Sequence, residues 1–200
     1  MKENFDLCWG FTSQMEGPMS NESGDPGGLT VWGVAQTFWP AQRLEAVTGQ
    51  KDLEKLTREQ AGLCFKKEAW DQVRADELPW PADLAVSDSA FNNGDGAAIR
   101  NLQGIVGAKR DGVYGPKTTE SVWRWLREHD DAGFELAKQF TERRMMNYIN
   151  RVRDIEKNDP DGKKLGMPIK NARTYLGEYW MPRLMQLWMF VAENSGKGLK

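Results

Sequence analysis

Histidine and cysteine are scarce in this sequence. Its 200 residues include one histidine, His129, and two cysteines, Cys8 and Cys64. Two cysteines cannot form the several bridges of a disulfide-stabilised scaffold, and we expect both to be buried free thiols. A single histidine argues against a histidine-rich zinc site and against a histidine-based catalytic triad. Any chemistry is therefore expected to depend on carboxylates, and we predict neither a metal nor a cofactor.

Long apolar runs and an excess of positive charge are also missing. No run of apolar residues approaches the roughly 18 that a membrane-spanning helix needs, so we expect no stable membrane insertion. The first residues lack the basic and then apolar segments of a secretory signal peptide. The 27 basic and 29 acidic residues give a net charge of −2, which argues against a nucleic-acid partner.

The sequence does contain enough apolar residues for a core, together with an uneven distribution of charge. Hydrophobic residues make up 40% and charged residues 28%, so we predict one compact domain over residues 1–200. Residues 1–137 carry 14 basic and 22 acidic side chains, whereas residues 138–200 carry 13 basic and 7 acidic. The basic end is either a solvated surface or a region that attracts an anionic polymer. The arginines considered for that attraction are Arg143, Arg144, Arg151 and Arg153.

Hydrophobic periodicity predicts a mainly α protein. Apolar residues recur at helical spacing over residues 3–16, and the Gly-Pro pair that follows ends this helix. A loop is predicted over residues 17–30, and a short extended piece over residues 29–34. The other predicted helices cover residues 57–73, 82–93, 97–106, 118–128, 134–153 and 182–193.

The segment from residue 16 to residue 34 is the most informative for chemistry. Glu16 ends the first predicted helix, a glycine-rich loop with Glu22 and Asp25 follows, and Thr30 and Trp32 come next. Hydrolysis of a glycosidic bond needs one protonated carboxylic acid and a second carboxylate, or a water that it holds. A glutamate before a Gly-Pro pair is also often no more than a helix-end residue, so the residues alone leave both interpretations open.

In their order along the chain, this segment and later motifs resemble the glycoside hydrolase family 108 muramidases, many of which are phage endolysins. The motifs are Glu16-Gly17, Asp25-Pro26-Gly27-Gly28, Thr30-Val31-Trp32-Gly33-Val34, Asp88-Ser89-Ala90-Phe91-Asn92-Asn93-Gly94 and Asp111-Gly112-Val113-Tyr114-Gly115-Pro116. The resemblance covers roughly residues 5–185 and implies a mainly α, lysozyme-like domain with a short β or loop segment after the first helix. It also implies a catalytic half over residues 1–92 and a helical half over residues 93–185 that is similar to a peptidoglycan-binding region.

Carried over to this chain, the resemblance implies that Glu16 is the catalytic acid. Asp25 is favoured over Glu22 as the second carboxylate, although an Asp-Pro pair also suits a simple turn. Thr30 is similar to the threonine that, with an aspartate, holds a water against the sugar in better-known phage lysozymes. Pro18 stands where the family has a second glycine, and it removes a backbone donor just behind the acid.

Three more side chains join Thr30 as candidate substrate-binding residues. Trp32 is either a wall of the sugar cleft or a core residue. Asn92 either hydrogen-bonds an N-acetyl group or caps a helix end. Tyr114, in a glycine-flanked turn, is either a platform on which a sugar stacks or simply part of that turn.

The implied function is a peptidoglycan hydrolase that cleaves the β-1,4 bond between N-acetylmuramic acid and N-acetylglucosamine. We expect a monomer that serves host lysis by a phage and waits in the host cytoplasm until a holin releases it to the periplasm and cell wall. The alternatives are a prophage-derived bacterial muramidase that loosens the wall for secretion, a lytic transglycosylase, and a non-catalytic peptidoglycan-binding protein.

Overall fold

Helices dominate the structure, as the sequence predicts. The computed structural model describes residues 4–20, 28–163 and 167–195. Its helices are α1 (Phe5–Glu16), α2 (Ala41–Thr48), α3 (Arg58–Phe65), α4 (Ala82–Asn93), α5 (Asp95–Ile105), α6 (Pro116–Glu128), α7 (Ala132–Asn158), α8 (Ile169–Tyr175) and α9 (Met181–Asn194). Three short strands, β1 (Met19–Ser20), β2 (Thr30–Val31) and β3 (Val34–Ala35), form an antiparallel sheet in that order. The predicted mainly α, lysozyme-like fold is confirmed.

Helix α1 places Glu16 at its C-terminal end. The helix buries Cys8 and Trp9 on one face, in agreement with the apolar spacing of the sequence. It ends because Gly17 has a φ of 73°, outside the helical range, which glycine adopts without steric cost. The N–H of Gly17 still donates to Ser13 O at 3.2 Å and so caps the last turn. The side chain of Glu16 therefore stands where the chain leaves the helix.

The hairpin of β2 and β3 packs its turn against Glu16. Trp32 and Gly33 form this two-residue turn and have φ values of 52° and 80°, the left-handed conformation that tight hairpins need at both positions. A Cβ on Gly33 would lie 2.7 Å from Glu16 Cγ and 2.4 Å from Phe91 Cε1, so only glycine fits. Residues 29–34, predicted as one extended piece, are thus bent into a hairpin whose turn touches the candidate acid.

Helix α4 lies at the centre of the fold. It is buried continuously over residues 82–90 and packs against α1, α5 and α7. The larger of the two hydrophobic clusters that the described residues form, which is the main source of stability, includes residues from Cys8 to Val191. A smaller cluster contains Val152, Ile155 and Ala172. The division into a catalytic half over 1–92 and a second half over 93–185 stays a prediction.

The sequence does not predict α2 and α8. Both are short, and each buries a single side chain, Leu44 in α2 and Ala172 in α8, so neither has an apolar stripe to recognise. The helix predicted over residues 57–73 is in fact divided. Helix α3 ends at Phe65, and a π-helical turn at Lys66–Trp70 follows it.

Helix α9 closes the fold from the C-terminal side. Pro182 lies in its first turn, where the fixed φ of proline suits a helix and its missing N–H costs nothing. Leu184, Leu187 and Val191 are buried, so the apolar stretch of this helix belongs in part to the interior. Across the described ranges, no helix has both the length and the apolar character needed to cross a membrane.

Candidate active site

A cleft of about 880 Å³ opens beside Glu16. The hairpin turn, the start of α2, the C-terminal part of α4, the start of α5 and one face of α7 line it. Aromatic rings also contribute, among them Trp39, Phe91, Tyr148 and Trp180. Such a concave surface with a few converging polar groups is typical of a binding site for a small molecule or a polymer segment.

Glu16 is held by an arginine from the far end of the chain. Arg183 Nη2 of α9 lies 2.8 Å from Glu16 Oε1, an ion pair whose alignment is poor for a hydrogen bond. The two side chains are 9% and 19% exposed, so water screens the pair only weakly. Arg183 thereby fixes the direction of the carboxylate at the inner wall of the cleft.

Asp88 on α4 is a buried carboxylate that binds both Arg183 and Arg144. Its carboxylate accepts from Arg183 Nη2 at 2.7 Å and Nε at 3.1 Å, from Arg144 Nη1 at 2.7 Å and from Thr12 Oγ1 at 3.1 Å. Burial alone would raise the pKa of Asp88, but the charges and hydrogen bonds of Arg183 and Arg144 outweigh burial and lower this pKa well below its ordinary range. Asp88 thus ties α9 and α7 to the helix that carries Glu16.

The ion pairs of Asp88 should make the free energy of unfolding depend on pH in the acid range. The pKa of Asp88 is lowered in the folded state, whereas an unfolded aspartate titrates near about 3.9. The stabilisation is therefore complete above about pH 4 and is lost as the pH falls below that value, because the unfolded chain then binds more protons. Urea unfolding should show the deficit of Asp88→Asn relative to wild type shrinking from about pH 6 to about pH 3. A deficit that does not change with pH would contradict this expectation.

Asn92 lies at the rim of the same network. Its Oδ1 accepts from Arg144 Nη2 at 3.2 Å and from the Tyr148 hydroxyl at 3.3 Å. The neighbouring Asn93 donates to that hydroxyl at 2.9 Å, and the Tyr148 ring stacks on Trp180 with centroids 4.7 Å apart. Asn92 is exposed and lines the cleft, and its predicted hydrogen bond to an N-acetyl group stays a prediction.

Thr30 and Trp32 do not line the cleft. Thr30 pairs within the sheet, and its hydroxyl donates to Gly28 O at 3.4 Å. Trp32 sits in the hairpin turn, partly buried against the core. Neither is among the described residues that line the cleft. Glu22 and Asp25 lie outside the described residues, so their roles stay predictions.

Tyr114 also lies away from the cleft. Arg74 covers its ring at 5.6 Å, and its hydroxyl oxygen is buried. Burial raises the pKa of Tyr114, and the negative charge of Glu77 adds to that effect. Its proposed role as a sugar platform gains no support from this position and stays a prediction.

Sequence reasoning did not identify Asp88, Arg144 and Arg183 as parts of the site. A signal did exist, because Asp88 stands within a run of small and apolar residues that forms a buried helix. A buried carboxylate needs cationic or hydrogen-bonding partners. The sequence does not reveal which of its arginines, 56 and 95 residues further on, are those partners.

The four arginines considered for attraction to an anionic polymer have different environments. Arg144 is 2% exposed and paired with Asp88, and Arg143 reaches Gly104 O at 3.3 Å. Arg151 is exposed and lines the cleft, whereas Arg153 is exposed and is not among its described lining residues. Arg144 is therefore a structural cation and unavailable to an external polymer.

A glutamate at the end of a helix, beside a cleft in a lysozyme-like fold, is the arrangement in which a glycoside hydrolase of the lysozyme type holds its acid. Residues 9–94 match the sequence model of the family described as Glycosyl hydrolase 108. Residues 9–94 are therefore a glycosyl hydrolase 108 segment, and this match supports a peptidoglycan hydrolase of the muramidase class. The predicted enzyme class, a glycoside hydrolase, is confirmed, and the predicted family is confirmed for residues 9–94. The match ends at residue 94, so the peptidoglycan-binding character of residues 93–185 stays a prediction.

Comparison with solved structures supports the fold over the whole chain. The structure titled "Structure of Brucella abortus SagA" is similar, with a TM-score of 0.66 and 22% sequence identity, and the match covers 100% of each chain. No curated protein matches the sequence.

Proposed function

We propose that this protein cleaves the β-1,4 bond between N-acetylmuramic acid and N-acetylglucosamine with Glu16 as the general acid. The position of Glu16 at the inner wall of the cleft supports this role. Two other described carboxylates line the cleft. Glu68 is paired with Arg43, and Asp95 accepts from the backbone N–H of Gly96 at 2.7 Å at the start of α5.

The proposed reaction uses one proton and one water. Glu16 gives its proton to the glycosidic oxygen, the bond from that oxygen to the anomeric carbon breaks, and water adds its hydroxyl to that carbon while its proton is taken up by a base. Arg183 at 2.8 Å stabilises the carboxylate that remains on Glu16 after proton transfer.

The base or second carboxylate is proposed to be Asp25, with Glu22 as its competitor. Both follow Glu16 in the loop that leads to β2, where a glycosidase needs the group that faces the anomeric centre. Asp25→Asn should lower the rate of peptidoglycan cleavage much more than Glu22→Gln, as measured by turbidity of a cell-wall suspension. Equal and mild losses in both variants would contradict a second catalytic carboxylate in this loop.

The proposed reaction is tested by the sugar at the newly formed chain end. Mass spectrometry of digested peptidoglycan should show a reducing N-acetylmuramic acid. A reducing N-acetylglucosamine would change the bond assignment, a 1,6-anhydro end would indicate a transglycosylase, and no product would indicate a non-catalytic binding protein.

For the biological role, we propose host lysis by a phage, in which a monomeric enzyme waits in the host cytoplasm until a holin opens the inner membrane. The motif resemblance to endolysins supports this role. Cells expressing the protein should remain intact until their inner membrane is permeabilised and should then lyse. A prophage-derived enzyme that edits the wall would instead be expected to act without such release.

A further inference from the structure

Helix α7 presents a continuous polar face to the cleft. Arg144, Asn147, Tyr148 and Arg151 all line it, and their spacing of three, four and seven residues places them on one side of the helix. Arg144 lies at the end of this face that is nearer to Glu16, because it donates to Asp88, which also accepts from Arg183. At a rise of about 1.5 Å per residue, Arg151 lies roughly 10 Å further along the helix axis.

Arg151 is the free positive charge of the described cleft lining. Arg144 is buried and paired with Asp88, and Arg43 is paired with Glu68. Arg151 is exposed, and within the described ranges its side chain forms neither an ion pair nor a hydrogen bond. An exposed guanidinium in a binding cleft, with no anion of its own, is suited to an anionic group on the ligand.

Amide groups lie beside this charge. Asn147 Nδ2 donates to Asn101 Oδ1 at 2.9 Å, and both residues line the cleft. The Oδ1 of Asn147 and the Nδ2 of Asn101 therefore remain available as an acceptor and a donor. One acceptor and one donor next to a guanidinium match a peptide that carries a carboxylate better than they match a sugar hydroxyl alone.

We propose that Arg151, Asn147 and Asn101 form a subsite for the stem peptide of peptidoglycan, in which Arg151 pairs with a peptide carboxylate. This proposal rests on the proposed function, because only a muramic-acid substrate brings such a peptide into the cleft. In intact peptidoglycan an amide bond occupies the lactyl carboxyl of muramic acid, so the carboxylate that reaches Arg151 belongs to the peptide.

The test measures binding of glycan fragments to the inactive Glu16→Gln protein. Two soluble fragments are compared, one that bears stem peptides and one from which an amidase has removed them. Adding Arg151→Gln should weaken binding of the peptide-bearing fragment about 10-fold, the loss expected for one charged hydrogen-bonded pair. Binding of the peptide-free fragment should not change. Arg153→Gln, an exposed arginine two residues further on the same helix, is the matched control and should leave both affinities unchanged.

Each other outcome overturns the proposal in a recognisable way. Unchanged binding of the peptide-bearing fragment, or an equal loss with Arg153→Gln, excludes a specific pair at Arg151. An equal loss with the peptide-free fragment assigns Arg151 to the free lactyl carboxylate instead. If the wild-type enzyme still releases muramic-acid ends, only the subsite fails. If it neither cleaves nor binds either fragment, the proposed function fails as well.

Discussion

Replacement of Glu16 by glutamine is expected to abolish cleavage of peptidoglycan while the protein stays folded. Glutamine keeps the shape of the side chain but has no acidic proton to give to the glycosidic oxygen. The loss should be at least about 100-fold and up to about 10,000-fold, the contribution typical of a positioned general acid. The rate is measured as the decrease in turbidity of a purified cell-wall suspension.

The control for this variant is Glu45→Gln, which removes an exposed carboxylate on α2. It should cleave at the wild-type rate. Circular dichroism and the thermal midpoint of Glu16→Gln should remain close to wild type, because Arg183 keeps its two hydrogen bonds to Asp88. A folded Glu16→Gln protein that clears the suspension at a rate near wild type would contradict the role of Glu16.

Of the variants considered, Asp88→Ala is expected to lower the free energy of unfolding most. The carboxylate is fully buried between two guanidinium groups, and its removal leaves Arg144 without a compensating charge and Arg183 with Glu16 alone. Breaking a buried pair in this way typically costs about 3–5 kcal/mol of the free energy of unfolding. Urea or guanidinium unfolding at neutral pH measures the loss.

The matched comparison for this variant is Asp71→Ala. Asp71 also forms an ion pair, with Lys66, but its side chain is 49% exposed and that of Lys66 is 44% exposed. Exposed pairs contribute only about 0–1 kcal/mol, so this variant should unfold at nearly the wild-type denaturant concentration. Similar losses in the two variants would show that Asp88 is not the anchor of α7 and α9.

The sequence predicts the helices that carry the site because their signals are local. Helix α4 occupies residues 82–93, as the apolar pattern predicts, and α1 ends at Glu16 because a glycine follows. Glu16 becomes the candidate acid through the resemblance of the ordered motifs to the family, because the local residues alone leave a helix-end role open. The bend at Trp32 and Gly33 was not predicted, because a left-handed tryptophan is uncommon and is fixed by packing of the hairpin.

The ion-pair network could not be predicted in the same way because it is not local. Glu16, Asp88 and Arg183 come from α1, α4 and α9, and only the packing of those helices brings Arg183 to within 2.8 Å of both carboxylates. Nothing in the sequence separates Arg151, which faces the cleft, from Arg153, which does not. A count of charges over a segment of the chain therefore overestimates the number of arginines that are available to a substrate.

The measurement that tests the central claim most directly is incorporation of oxygen-18 into the products when peptidoglycan is digested in water enriched in that isotope. If Glu16 drives hydrolysis at N-acetylmuramic acid, mass spectrometry should find one heavy oxygen atom at each new reducing N-acetylmuramic acid and none in the Glu16→Gln digest. Fragments that end in N-acetylmuramic acid without the heavy atom, or that carry it on N-acetylglucosamine, would contradict the account.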